Sequence, residues 1–168
     1  MKDLYISWDE YNRLVEKLAL QVWRSDWSFD AVVCLARGGL RVGDVFSRLF
    51  DKPLGVLFTS SYRDDEGVTQ GGLLIGEQLS SAQPLPGPRW LLVDDLADTG
   101  ETLLRVLPAL RERYPQAHEI RSAVLWRKGS SVVEPDYFIE HLPTNPWIHQ
   151  PFEEYDHMRP ADLKARWG

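Results

Sequence analysis

From Ser7 onward the apolar positions recur with the period of a helix. Tyr11, Leu14, Val15, Leu18 and Val22 fall on one face. Ser7 and Glu10, three residues apart, form the capping box that opens it. The period then vanishes. Ala31 to Ala36 is an unbroken apolar run of strand length, followed by RGGL and a second helical pattern from Leu40 to Phe50. Leu54 to Phe58 reads as another strand. Next comes TSSYRDDEGVTQGG, a polar, glycine-bearing stretch whose length suits a functional loop better than a plain connection. SSAQPLPGPR is a turn-rich bridge. Trp90 to Val93 is a strand, and a helix is expected from near Thr99 towards Tyr114. Pro108 should disturb that helix, because it removes the bond to Leu104. Ile120 to Trp126 and Tyr137 to Ile139 complete the pattern as strands.

Strands therefore alternate with helices, and several strands are apolar on both faces. This is the pattern of an α/β fold with a mainly parallel sheet flanked by helices. The 168 residues suit a single domain over residues 1–168, with no internal repeat. A net charge of −6 argues against a sequence-independent nucleic-acid binder. The lone cysteine, Cys34, lies in an apolar run and reads as a buried strand residue, so no disulfide within the chain is expected. The N-terminus has no apolar core of a signal peptide, and no apolar stretch approaches the ~20 residues of a membrane span. The expectation is a cytoplasmic protein with neither nucleic acid nor membrane as partner.

The chemistry concentrates in WLLVDDLADTGETL. An apolar strand runs into Asp94, Asp95 and Asp98, and Thr99, Gly100, Glu101 and Thr102 follow at a helix start. In open α/β sheets ligands bind beyond the carboxyl ends of the strands. Amides at a helix start carry partial positive charge and can hold a phosphate. Glycine allows close backbone approach, and threonine adds a hydroxyl donor. A phosphate cradle has no use for bare negative charge beside it, so Asp94 and Asp95 suit magnesium or sugar hydroxyls. ARGGL, after the first buried strand, is the second candidate loop. The four histidines show no metal-ligand spacing and read as surface or packing residues, with His149 placed to rim a site near Trp147.

Together these segments resemble the type I phosphoribosyltransferase family. LLVDDLADTGETL resembles its motif for phosphoribosyl diphosphate (PRPP), and CLARGGL resembles its pyrophosphate loop. SSY, Ser60 to Tyr62, resembles the start of its mobile hood loop. WRKGSSVVEPDYFIE and NPWIHQPFEEYD resemble the base-binding end of the bacterial and archaeal xanthine, guanine and hypoxanthine enzymes. The resemblance implies a purine salvage enzyme that moves the 5-phosphoribosyl group of PRPP onto a 6-oxopurine, releasing pyrophosphate, with Mg2+ as cofactor. It implies that Asp94 and Asp95 hold the ribose hydroxyls, partly through magnesium, and that Asp98 is the general base. Thr99, Gly100, Glu101 and Thr102 would wrap the 5-phosphate. Ala36, Arg37 and Gly38 would bind pyrophosphate. Lys128 would donate to the purine oxo group, Trp147 would stack on the ring, and Ile148 would offer backbone contacts. Residues from about 127 to 156 would form the base-binding hood, in a homo-oligomer, dimer or tetramer.

The resemblance has departures. A gap-free match to some members sets Arg127, not Lys128, at the base position. Glu153 stands where many members have aspartate, which weakens the case for a second metal contact. The loop RDDEGVTQGG is acidic for a lid over diphosphate, which leaves Arg63 and backbone to do most of the binding there. Two other readings stay open: a regulator on the same fold that senses PRPP or nucleotide, and a phosphoribosyltransferase for a pyrimidine.

Overall fold

The computed structural model describes residues 3–61 and 72–168. A short β1, Leu4–Tyr5, leads into α1, Trp8–Arg24. The capping box is present: Ser7 Oγ accepts from the Glu10 amide at 3.2 Å, and Glu10 Oε2 accepts from the Ser7 amide at 2.8 Å. The expected face of α1 is the buried one, with Ala19 added. β2, Ala31–Ala36, is buried at every position. Val32 and Cys34 join the core under α1 and α2, Leu40–Phe50. Ala31, Val33 and Leu35 join a second core on the other face. Burial pushes the Cys34 thiol up to about 11, as a packed strand residue requires.

The chain continues through β3, Leu54–Ser61, β4, Leu73–Ile75, β5, Arg89–Val93, and β6, Leu96–Ala97. Then follow α3, Glu101–Arg113, β7, Glu119–Lys128, β8, Tyr137–Leu142, and β9, Ile148–His149. Two exposed helices, α4, Glu154–His157, and α5, Pro160–Trp167, close it. The main sheet runs β4-β3-β2-β5-β7-β6, with β8 also paired to β7. All its pairs are parallel except β3 with β4. β5 lies between β2 and β7, so its carboxyl end opens at the middle of the sheet. Crossover helices cover both faces, which is why the strands read as unbroken apolar runs.

Some expectations need correction. α3 starts at Glu101 rather than Thr99, because Gly100 precedes it in the left-handed region at φ 80°. α3 also passes through Pro108 to Arg113. Its buried stripe of Leu103, Val106 and Leu110 holds it, and the carbonyl freed at Leu104 belongs to a residue on the exposed side. β3 extends three residues past Phe58, which places Ser60 and Ser61 on a strand opposite Leu74 and Leu73. Tyr62 and the rest of the expected hood loop, including Arg63, lie outside the described residues. β1, β4, β6 and β9 are two or three residues long, too short to show a period. Among the described residues, no helix is long and apolar enough to cross a membrane.

Candidate active site

β5 delivers Asp94 and Asp95 to the centre of the sheet's carboxyl edge. The Asp94 amide still donates to Ala123 O at 3.1 Å, and Asp95 O accepts from the Leu125 amide at 2.9 Å. The backbone of the acid pair is thus locked to β7. Asp94 Oδ1 accepts from the Asp95 amide at 2.9 Å. Burial pushes the Asp94 carboxyl well above its ordinary range, and the Asp95 charge beside it adds to the effect. Burial raises Asp95 too, while a hydrogen bond from Gln150 acts the other way. Two carboxylates held together in a poorly solvated place are short of positive charge.

The loop after β2 closes on this pair. A cis peptide joins Ala36 to Arg37. A Cβ on Gly38 would lie 2.7 Å from the Asp95 carboxyl atoms. One on Gly39 would lie 2.7 Å from Val93 O and 2.8 Å from Leu35 O. Glycine is required at both positions because the loop packs directly on the end of β5. The Arg37 guanidinium projects outward and meets Asp156 at 3.5 Å, with both side chains largely exposed.

On the other side, the turn Asp98–Gly100 leads into α3. Gly100 offers no side-chain cap to the first turn of the helix. A Cβ there would lie 2.6 Å from Ser131 Oγ and 2.9 Å from Val133 N, so the loop after β7 is pressed against the turn. That loop is also bonded to it. Thr99 O accepts from the Val132 amide at 2.8 Å, and Asp98 O accepts from Ser130 Oγ at 3.0 Å.

β7 settles which basic side chain faces Asp98. Lys128 is only 5 % exposed, and its Nζ lies 3.2 Å from Asp98 Oδ2. Strand alternation turns Arg127 to the opposite face. There its guanidinium is 4.0 Å from Glu134, and its Nε is buried without a partner.

β9 and the residues after it supply the third wall. Trp147 O and His149 O accept from the amides of Leu4 and Ile6 at 2.8 and 3.0 Å. Strand geometry then points the backbone N–H and C=O of Ile148 to the other edge. The Ile148 side chain is buried, whereas Trp147 is 57 % exposed. His149 stacks on Tyr5, ring centroids 4.3 Å apart, and contacts Asp3 at 3.0 Å.

A cleft of about 1050 Å3 includes Arg37, Gly38, Asp95, Trp147 and Gln150 in its walls. The structure thus brings Arg37 and Gly38 of the expected pyrophosphate loop, one acid of the pair and the expected stacking tryptophan together, while Ala36 is not in the lining. Asp94, the turn from Asp98 to Thr102, Lys128 and Ile148 are not in the lining of this cleft.

Two participants carry little sequence signal. Gln150 donates to Asp95 Oδ2 at 2.6 Å, across 55 positions of chain. Arg41 sits over the Phe152 ring at 4.2 Å and the Trp8 ring at 5.5 Å. A lone glutamine and a helix arginine look like surface residues in sequence, and only their tertiary neighbours mark them.

Comparisons with known proteins give the family of the chain. A xanthine-guanine phosphoribosyltransferase of Chromohalobacter salexigens is 30% identical over 88% of this chain and 82% of its own. The solved Helicobacter pylori xanthine-guanine-hypoxanthine phosphoribosyltransferase superposes with a TM-score of 0.77 at 26% identity, over 98% of this chain and 99% of that one. A purine phosphoribosyltransferase of Pyrococcus horikoshii gives 0.70 at 29% identity, over 90% and 94%. The family model for the phosphoribosyl transferase domain matches residues 7–157, and on that match the chain belongs to the phosphoribosyltransferase family.

Proposed function

We propose that this protein transfers the 5-phosphoribosyl group from PRPP to a 6-oxopurine (hypoxanthine, guanine or xanthine). The products are the nucleoside monophosphate and pyrophosphate. The observation that carries the reading is the Lys128–Asp98 pair, a donor and an acceptor 3.2 Å apart beside the phosphate turn. A 6-oxopurine displays O6 and N7 side by side on one edge. Lys128 Nζ matches O6 as a donor. Asp98 matches N7–H as an acceptor. The names of the relatives, which include xanthine-guanine and hypoxanthine enzymes, support the same substrate class.

In this reading the first turn of α3, with Thr99, Gly100, Glu101 and Thr102, receives the 5-phosphate. Ala36, Arg37 and Gly38 receive the diphosphate, with Arg37 exchanging Asp156 for a phosphate oxygen. Trp147 stacks on the base, and the backbone of Ile148 contacts its edge. As the bond from ribose C1 to diphosphate breaks, N9 of the base forms its bond to C1. Asp98 takes the proton from N7, and Arg37 stabilises the charge gathering on the leaving group.

Asp94 and Asp95 fit a magnesium site. Among the described residues, no cluster of three or more His, Cys, Asp or Glu side chains could hold a metal. Magnesium, however, commonly uses one or two carboxylates together with substrate phosphates and water. The shortage of positive charge around the acid pair suits a divalent cation, which when bound supplies charge neutralisation for the diphosphate.

A comparison of bases tests the proposal. At least one of hypoxanthine, guanine and xanthine should support PRPP turnover and adenine should not, because a 6-amino group cannot accept from Lys128. Turnover of adenine as fast as that of the best 6-oxopurine would defeat the assignment of Lys128.

A further inference from the structure

Gln150 lines the cleft, and the scheme above leaves it unused. It is 7 % exposed. Its Nε2 donates to Asp95 Oδ2 at 2.6 Å, while its Oε1 is buried and has no partner. The amide orientation is fixed by chemistry, since the reverse would set two acceptor oxygens against each other. Its backbone is also held, because its carbonyl accepts from the Glu153 amide at 3.0 Å. Asp95 is therefore gripped from two sides: Gly38 packs on one, and Gln150 bonds on the other. Buried polar groups are almost always paired. An unpaired buried oxygen on the side chain that holds Asp95 marks a place where a ligand completes the hydrogen bonding.

We propose that Gln150 is a positioning residue of the PRPP site. Its N–H holds Asp95 in the geometry that meets substrate, and its free carbonyl accepts from an O–H donor of the bound ligand. That donor is a ribose hydroxyl or a metal-bound water. Both present the same O–H, and both would lie against Asp95. The inference rests on the reading of Asp95 as a PRPP-site residue. It explains why an amide fits here. A carboxylate would repel Asp95, and an apolar side chain would leave Asp95 without its donor.

The test is calorimetric titration of the purified protein with PRPP, in Mg2+ and in EDTA, together with steady-state kinetics. Four proteins are compared: the parent, Gln150→Met, Asp95→Asn and the double variant. Gln150→Met keeps the length of the side chain and removes its polarity, and circular dichroism checks the fold. Gln150→Ser, which leaves room for water beside Asp95, takes its place if Met does not fold. Gln150→Met should weaken PRPP binding about ten-fold or more, the scale of a hydrogen bond to a charged group. The KM for the purine should stay within about three-fold, a split that general loss of structure would not give. In the Asp95→Asn background the same change should cost less than about three-fold, since contacts acting through a shared partner are not additive. A loss that persists in EDTA identifies the ribose hydroxyl as donor, and one confined to Mg2+ identifies metal-bound water. Parent-like PRPP affinity in folded Gln150→Met overturns the proposal. So does an equal loss in both backgrounds. A parent protein that binds no PRPP defeats the functional reading itself, a different outcome from either.

Discussion

Lys128→Met separates base recognition from everything else in the site. Lys128 is nearly enclosed, while the Asp98 carboxylate it meets at 3.2 Å keeps 53 % of its side-chain exposure. Methionine fills the volume of the lysine stem with an unbranched chain. What disappears is the ammonium. Because Asp98 stays half-solvated, losing its partner leaves no buried bare charge, and the stability cost should be well below the ~3–5 kcal/mol of breaking a buried pair. The effect on recognition should be larger. A hydrogen bond to a charged group is worth about 1.5–3 kcal/mol, which is about 10- to 150-fold in kcat/KM for the 6-oxopurine. PRPP does not meet Lys128 in this scheme, so its KM should stay within about two-fold. The assay is initial-rate kinetics with one substrate varied and the other saturating, alongside a melting curve. If Arg127→Met shows the loss and Lys128→Met does not, the base lies on the other face of β7 and the reasoning fails.

Other outcomes follow from the same geometry. Asp98→Asn should bind PRPP with nearly parental affinity yet lose about 10²–10⁴ in kcat, since an amide cannot take the proton. If activity stays within about three-fold, Asp98 only shapes the turn. Gly38→Ala should abolish turnover and lower stability by about 1–3 kcal/mol, because its Cβ would sit 2.7 Å from the Asp95 carboxyl; a crystal structure of the variant with Asp95 unmoved would refute this. Asp94→Asn should lose PRPP binding and yet raise the melting temperature of the ligand-free protein at neutral pH. The sign follows from linkage. A carboxyl whose folded pKa is raised binds more protons folded than unfolded, so stability falls as pH rises from about 4 through the folded pKa. Asparagine escapes that loss, so the stability difference between variant and parent should widen over this window in melting curves, and a constant difference would contradict it.

The sequence showed the fold where burial imposes a period. α1 declared itself through its capping box and five apolar positions on one face, and β2 and β5 through apolar runs buried on both sides. Elements without that imprint stayed hidden. β1 and β9 exist because Leu4 and Tyr5 meet Ile148 and His149 across the whole chain, and two-residue strands cannot show alternation. α4 and α5 bury no residue, so no apolar stripe announces them. Pro108 misled in a different way. A propensity penalty acts on one bond, whereas three buried residues of α3 act together. For the site, strand-end acids and glycine loops were visible because backbone approach demands particular residue types. Whether Arg127 or Lys128 meets Asp98 depended on strand facing, which periodicity alone left open. The Gln150–Asp95 bond depends on tertiary placement and leaves no trace in spacing.

The most direct measurement of the central claim is phosphorus NMR of PRPP incubated with the protein, Mg2+ and one base at a time. The bases are hypoxanthine, guanine, xanthine, adenine and uracil. We expect PRPP to be consumed, with pyrophosphate and a nucleoside monophosphate appearing in equal amounts, for at least one of the three 6-oxopurines and for neither adenine nor uracil. PRPP left intact with all three 6-oxopurines, or nucleotide formed from uracil instead, would contradict the account.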